Sequence, residues 1–514
     1  MSFLSAPGHL YRLTRIAATL ARSGGLGVVR KRLGLEGLRG WLLRAASAVL
    51  SPFGLRGNPD LPPVARALTA LGPAEVKFGQ MLATRPDVVG IEMARELRVL
   101  QDHVPPFDAE LARGIVVREL EQPVERLFPR FGPPVAAASI AQVHKGETPD
   151  GRAVAVKILR PGVEEAFLRD IAAFRFVAGV VERLLPSSRR LKPVAVYEHF
   201  AETTRIELDL RLEAAAASEF RENTVEDEGF RVPKVDWARS SQRVLTTEWI
   251  DGTPIGDVET LREAGHDMPG LALRVIQSFL GHALRDGFFH ADMHQGNLRV
   301  DAQGRIVALD FGIMGRLDPM TRRFYAEILL AFLRRDYMRA ARVHREAGYL
   351  PENQSVDAFA QALRSVAEPI FGLGAANISM ARLLGQLFTV TETFGMETQT
   401  QLILLQKTMV MVEGVARDLD PDVNMWDAAK PVVEGWMRSN LGPEAVLRDL
   451  RRTAETLARL GPRLPAAAER LIALTDAADR PEPVVVKARA GSRSLLLAAA
   501  LGGAVGALVA LVLG

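Results

Sequence analysis

Cysteine is absent from all 514 residues, which excludes disulfide frameworks, thiolate zinc sites and thiol catalysis together. That absence fits a reducing compartment. Acidic residues are almost missing from residues 1–57, where nine Lys/Arg accompany a single acid, Glu36. A basic arm of this kind suits either an anionic lipid surface or a solvated helix face. Aromatic side chains do not interleave with these basic residues in the manner of nucleic-acid motifs, so no nucleic-acid partner is expected. No secretory signal is expected, because Arg12, Arg15 and Arg22 interrupt any early apolar run. Internal repeats and long low-complexity tracts are missing too.

Charge is absent from residues 495–514 (LLLAAALGGAVGALVALVLG). About 20 apolar residues at 1.5 Å rise span roughly 30 Å, the hydrocarbon thickness of a bilayer. A core helix would carry a polar face, and this run has none. We therefore expect a transmembrane anchor over 494–514. Lys487, Arg489 and Arg493 precede it, which keeps the main body in the cytoplasm and places the protein at the inner membrane. Gly502 and Gly506 form a small-xxx-small pair able to support helix association.

What remains is ordinary globular sequence, 48% apolar and 24% charged, too long for one hydrophobic core. Pro/Gly-rich stretches divide it: residues 51–63, then Pro105–Pro106 and Pro133–Pro134. Residues 65–102 carry the three-and-four spacing of helices. Residues 135–143 lead through a Pro149-Asp150-Gly151 turn into AVAVKIL at 153–159, the pattern of a hairpin. Helices are expected over 166–185, 193–221 and 261–287, and strands over 244–249 and 306–309. Residues 321–478 read as almost continuous amphipathic helix.

The chemistry-bearing residues lie at strand ends and loops of this pattern. Lys157 is a lone cation in the apolar strand VAVK, placed to meet α/β-phosphates and to pair with a helix carboxylate. Glu202 and Glu207 both qualify as that partner. His290-Ala291-Asp292-Met293-His294-Gln295-Gly296-Asn297 follows, in which Asp292 would steer the nucleophile's proton and Asn297 would hold metal. His290 is expected to brace the loop by hydrogen bonding, and a zinc site built on His290 and His294 is the poorer reading. Asp310-Phe311-Gly312 comes 13 residues after Asn297, and Asp310 would present its carboxylate to Mg²⁺. Lysine strand, Asp-x4-Asn loop and Asp-Phe-Gly in this order call for ATP and Mg²⁺.

One expected element is missing. Ahead of the lysine strand a kinase carries G-x-G-x-x-G, and this chain has Val135, Ala136, Ala137, Ala138, Ser139, Ile140, Ala141, Gln142 and Val143. Alanine carries a Cβ, so this stretch approaches phosphate less closely and should alter nucleotide preference. Ser139 can donate to a phosphate or bond locally to backbone. Further upstream, Lys77-Phe78-Gly79-Gln80 places Lys77 and Gln80 on one helix face. A glycine between them weakens that helix by about 1 kcal/mol and points to close packing. Glu207-Leu208-Asp209, taken on a single helix, would direct its two carboxylates differently.

AAASIAQVH, VAVK, HADMHQGN and LDFG, together with the K-x-G-Q and E-x-D segments, resemble the UbiB family of atypical kinase-like proteins over residues 71–315. The resemblance implies an α+β, bilobal, protein-kinase-like fold with a helical N-terminal extension, a helical C-terminal region and the transmembrane helix. Its parts would be a basic arm (1–57), a helical extension bearing K-x-G-Q (58–132), a small lobe (133–254), a large lobe (255–350), a helical region (351–480) and the anchor (494–514). It further implies an ATP-dependent enzyme of ubiquinone biosynthesis, more ATPase than protein kinase. Its partners would be membrane lipid, a lipophilic quinone precursor and quinone-biosynthesis enzymes. The nucleotide site would include the alanine-rich stretch, Lys157, Glu202, Glu207, Lys77 and Gln80, with K-F-G-Q covering the place of a protein substrate. Met293 and Gln295 stand where the family commonly has prolines, and no A-P-E follows Asp310. A small-molecule phosphotransferase of the aminoglycoside or choline kinase type and a nucleotide-gated scaffold remain the other readings.

Overall fold

The computed structural model describes residues 6–32, 37–83, 89–101, 106–138, 140–165, 167, 175, 193–371, 380–396 and 400–442. Ser139, most of the expected helix 166–185 and the anchor 494–514 lie outside them. Among the described residues no helix is long and apolar enough to cross a membrane. They fall into two compact units: residues up to Ala215 with Val235–Trp249, and Ala216–Lys234 with residues from Ile250 onward.

The first unit begins with helices α1 (Ala6–Ser23), α2 (Gly25–Arg32) and α3 (Gly37–Leu50), so the basic arm is folded. Arg22 Nη1 donates to the carbonyl of Gly54 at 2.9 Å. Helices α4 (Pro63–Leu71), α5 (Pro73–Ala83) and α6 (Ile91–Leu97) follow. Ala65, Leu68, Val76, Ala83, Met93, Leu97 and Leu100 form their shared core. K-F-G-Q lies on α5 and its glycine has a packing reason. A Cβ on Gly79 would stand 2.5 Å from Leu100 Cδ1 and 2.6 Å from Leu68 Cδ1.

Helix α7 (Ala109–Leu120) starts where the Asp108 side chain accepts from the amides of Glu110 and Leu111, an N-cap. After the single turn α8 (Val124–Leu127) comes a four-stranded antiparallel sheet of β1 (Arg130–Ala137), β2 (Ala141–Glu147), β3 (Ala153–Leu159) and β5 (Val244–Glu248). The Pro-Asp-Gly turn joins β2 to β3 as expected, with Gly151 at φ +80°. Strand period decides the faces. Val154, Val156 and Ile158 bury against Ala112, Ile115 and Val116 of α7, each worth about 1.5–3 kcal/mol on full burial. Lys157 consequently stands on the other face.

The single helix expected over 193–221 is two: α9 (Pro193–Glu207) and α10 (Leu210–Asn223). Asp209 ends one and starts the other, its Oδ1 accepting from the amide of Arg211 at 3.1 Å. Leu210, almost fully buried, fixes the start of α10 by donating its amide to Gln242 O at 2.9 Å.

In the second unit, β4 (Phe230–Arg231), β9 (Ile306–Ala308), β8 (Leu298–Val300) and β6 (Thr253–Pro254) form one sheet in that order. β7 (Phe288–His290) and β10 (Met314–Arg316) form a second, antiparallel pair. The helix expected over 261–287 is interrupted by residues 264–267. The short α11 (Val258–Glu263) precedes α12 (Met268–Gly281), which Asp267 caps through the amide of Gly270. α12 buries Leu271, Ala272, Val275, Ile276, Phe279 and Leu280 at helical spacing, then widens into a π turn at His282–Asp286. Gly287, at φ +66°, turns the chain into β7. Among the described residues six helices follow: α13 (Pro319–Leu333), α14 (Tyr337–Glu346), α15 (Val356–Phe371), α16 (Met380–Thr393), α17 (Thr400–Leu419) and α18 (Met425–Leu441). These agree with the helical reading of residues 321–478 as far as residue 442, and 443–478 lie outside the described residues.

Candidate functional site

In the first unit Lys157 Nζ donates to both carboxylate oxygens of Glu213, at 2.7 and 2.9 Å. Glu213 lies in the first turn of α10 with its side chain 8% exposed. Neither glutamate expected from the sequence makes this pair. Glu202 is exposed. Glu207 turns its carboxylate to Lys77, 2.5 Å from Nζ, with only 6% of its side chain exposed. The break at Leu208–Asp209 explains the reassignment, because it resets the helix phase between the two glutamates. A capping signal was present in the sequence, since Asp209 precedes the run beginning at Leu210 and stands one turn before Glu213. Asp209 is held by the Arg211 guanidinium at 2.9 and 2.6 Å, which draws its carboxyl below the usual range. Gln80 Nε2 donates to Leu100 O at 2.7 Å, tying α5 to the segment after α6.

The alanine-rich stretch occupies the end of β1, the turn and the start of β2. Ala138 N donates to Ala141 O, and Arg160 N donates to Ile140 O, each at 2.8 Å. These bonds tighten the turn without any glycine. Val135, Ala136 and Ala138 are exposed, whereas Ala141 and Gln142 are fully buried. Gln142 was expected in the nucleotide site, and its amide is instead committed to the interior. Oε1 accepts from Phe107 N at 2.8 Å, and Nε2 lies 2.8 Å from His144 Nε2. That arrangement makes His144 Nε2 the acceptor and sends the Nδ1 proton to Gly132 O at 2.9 Å. Burial pushes the His144 pKa down, keeping the ring neutral.

In the second unit β7 delivers the catalytic loop. His290 is buried at the strand end, where Met314 pairs with it across the ladder. Its Nδ1 accepts from the Asp292 amide at 3.1 Å, the bracing expected of it. Burial lowers the His290 pKa, so the ring is a neutral strut. Phe311 lies between His290 and Phe220, with ring centroids 5.8 and 6.1 Å away, an apolar column under the loop.

Asn297 and Asp310 come together through the β8–β9 hairpin. Leu298 pairs with Ala308, so one residue further out Leu309 N donates to Asn297 O at 3.0 Å. Thirteen residues of sequence separation thus become one step across a ladder. Asn297 Nδ2 donates to the Asp292 carbonyl at 3.0 Å and lies 3.4 Å from its Oδ2. Its Oδ1 is therefore the atom to face a cation. Asp310 Oδ1 accepts from the amide of Gly312 at 2.9 Å, which fixes the carboxylate.

Asp292 is partly exposed and collects three neighbours: Asn297, His294 Nε2 at 3.6 Å and Lys407 Nζ at 3.9 Å. His294 Nδ1 accepts from Gly296 N at 3.0 Å, which leaves the proton on Nε2, toward Asp292. Lys407 belongs to α17, far along the chain, and nothing in the local sequence marks it. Two further bonds join α17 to the loop. Thr408 Oγ1 shares its proton between Leu404 O of its own helix at 2.8 Å and Ala291 O at 3.0 Å, and Gln295 Nε2 donates to Asp418 Oδ2 at 2.8 Å. Gln295, where the family commonly has proline, thus gains a tie that proline lacks.

Among the described residues no group of three His, Asp or Glu side chains gathers to hold a metal ion. One carboxylate and one amide oxygen are hard donors that suit Mg²⁺, which retains waters and takes phosphate oxygens for its remaining positions. They do not suit zinc.

Comparison with known proteins agrees with this arrangement. The ABC1 atypical kinase-like domain matches residues 99–344 and the UbiB helical domain matches residues 363–424. A protein of Marinobacter nauticus described as probable protein kinase UbiB is 42% identical over 81% of this chain and 78% of its own length. Rv3197 of Mycobacterium tuberculosis, solved as a complex with erythromycin, is 27% identical. It superposes with a TM-score of 0.52 over 69% of this chain and 90% of its own. The kinase-like α+β fold expected from the motifs is the one found.

Proposed function

The chain belongs to the UbiB family of ABC1 atypical kinase-like proteins, and from that premise we propose that it binds Mg-ATP and hydrolyses it at a membrane in support of ubiquinone biosynthesis. The observation that carries this reading is the convergence of Asp292, Asn297 and Asp310 at the end of one hairpin, all oxygen ligands or bases. Mg²⁺, when bound, would neutralise phosphate charge and fix the reacting phosphoryl group. Asn297 Oδ1 and the Asp310 carboxylate would hold it. By the kinase pattern Lys157, paired with Glu213, would present its ammonium to the α/β-phosphates. Asp292 accepts the proton of the attacking water as the new oxygen–phosphorus bond forms. The bond between the γ-phosphorus and its bridging oxygen breaks, and ADP departs with that electron pair.

Two features favour hydrolysis over protein phosphorylation. The alanine-rich turn carries Cβ atoms where kinases have glycine, and no A-P-E segment follows Asp310 to build a protein-substrate platform. The apolar run at 494–514 is read as a single-pass anchor that keeps the body cytoplasmic, beside lipophilic quinone precursors and the enzymes that modify them.

The test is ATP turnover by the purified chain, wild type against Asp292→Asn and Asp310→Asn, alongside quinone profiling of a deletion strain complemented with each. Turnover is expected to vanish in both variants, and quinone is expected to fall with it. Turnover that survives both substitutions would sink the mechanism. Normal quinone levels with Asp292→Asn would make the protein a scaffold, and stoichiometric phosphate on a soluble hydroxyl compound would make it a phosphotransferase.

A further inference from the structure

Phosphoryl transfer gathers negative charge on the γ-phosphoryl oxygens, and active sites oppose it with metal and with fixed cations. The loop of this chain brings none of its own: residues 286–298 contain no lysine or arginine. Arginines on the neighbouring strands are occupied elsewhere. Arg299 Nη1 donates to Gly252 O at 2.6 Å, Arg305 is paired with Asp301 at 2.8 Å, and Arg316 is bonded to Glu219. The cation beside Asp292 comes from outside the kinase-like match altogether. It is Lys407, on α17, within the segment 363–424 that matches the UbiB helical domain.

We infer that Lys407 is a catalytic residue, the fixed cation for the γ-phosphoryl group, and hence that the helical domain completes the ATP site. This inference rests on the Mg-ATP reading above. Three observations support it. Lys407 Nζ stands 3.9 Å from Asp292 Oδ1, in ion-pair range, so positive charge is present beside the base. The two side chains are 30% and 26% exposed, so both are open to an incoming phosphate, and a pair so wetted adds little to stability. The helix is also registered on the loop, its backbone position set by Thr408 on Ala291 O and Asp418 on Gln295. Lys407 and Asp418 are 11 residues, three turns, apart, so one face of α17 meets the loop at both ends. During transfer the ammonium faces the oxygens of the moving phosphoryl group. Asp292 takes the water proton, and no proton leaves Lys407.

The test uses the full-length chain in detergent, as wild type, Lys407→Met and Lys407→Arg. Calorimetry measures binding of AMP-PNP and of ADP, each with Mg²⁺, and ATP turnover is followed in parallel. A cation for the γ-phosphoryl group affects the triphosphate and spares the diphosphate. Lys407→Met is expected to weaken AMP-PNP about 10-fold while ADP stays within about 2-fold, and to lower kcat by roughly 10²-fold. Lys407→Arg is expected to recover most of both losses, with the unfolding midpoint of every variant unchanged. Equal weakening of both nucleotides, or turnover in Lys407→Met within about 3-fold of wild type, overturns the inference alone. Wild-type protein that binds neither nucleotide overturns the ATP reading, and the inference with it.

Discussion

The two units treat charge in opposite ways. In the first, each lysine singled out by a motif sits against a glutamate, Lys157 with Glu213 and Lys77 with Glu207, and both carboxylates are nearly buried. In the second, Asp292 is partly exposed with Lys407 Nζ no nearer than 3.9 Å, and Asp310 lies at a strand end, accepting from the amide of Gly312. The first arrangement is electrostatically complete, and removing one partner leaves a buried charge behind. The second keeps its carboxylates partly open to solvent, which suits a site built to receive a metal ion and phosphates. Apart from Lys157, whose loss should lower turnover as well, substitutions in the first unit should therefore act on stability and those in the second on turnover.

The largest expected effect breaks the second region. Asp310→Asn should lower ATP turnover by about 10³-fold or more, because the metal loses its carboxylate, while the unfolding midpoint stays within a degree or two. A midpoint that falls together with activity would erase the contrast between the units. Next comes Glu207→Gln, which strands Lys77. Urea denaturation is expected to show a loss of about 2 kcal/mol, below the 3–5 kcal/mol of a fully buried pair because Lys77 keeps some solvent. The double variant Glu207→Gln with Lys77→Met should recover much of that loss, which a double-mutant cycle measures.

The pH response sharpens the comparison further. Burial lowers the pKa of His144 in the first unit and of both His290 and His344 in the second. A histidine kept neutral in the fold stabilises fully above its unfolded value near 6.5, and that contribution declines as pH falls below it. Hydrogen exchange at pH 7 and pH 5 should show both units loosening at the lower pH, with the larger change in the second. Stability rising toward pH 5 would contradict the neutral assignment. The smallest effect expected is from Gly79→Ala. Alanine gains about 1 kcal/mol of helix propensity. The new methyl must displace two buried leucine ends at once, which costs about 1–3 kcal/mol. A net loss near 1 kcal/mol is expected in thermal unfolding, and a net gain would mean that Leu68 and Leu100 give way freely.

Much of the site was legible because strand period and turn chemistry are local. Val154, Val156 and Ile158 alternate with Lys157, so the sequence alone placed that lysine opposite the core. The Pro-Asp-Gly turn, the Asp292-to-Asn297 loop and the strand before Asp310 are likewise set by neighbours within a few residues. Helix phase was not legible across 207–209, since apolar spacing ran through a break that Asp209 makes by capping the next helix. That one slip assigned the Lys157 partner to Glu202 or Glu207. Gln142 was misjudged for a related reason. Its motif position marks it for the nucleotide, while its burial and its bond to Phe107 follow from how the chain packs.

The amino-acid order by itself therefore determined the kinds of group available: a lysine strand without glycines before it, an Asp-x4-Asn loop, an Asp-Phe-Gly, and an apolar run with no charge. These follow from residue type and short-range periodicity, which need no knowledge of distant contacts. Pairing was decided by tertiary structure alone. Glu213 reaches Lys157 because α10 restarts at Leu210, and Glu207 reaches Lys77 across 130 residues of chain. Lys407 arrives beside Asp292 because Thr408 and Asp418 register a remote helix on the loop. An ion pair depends on a few ångströms of separation, and that distance is fixed only when the elements carrying both charges have packed.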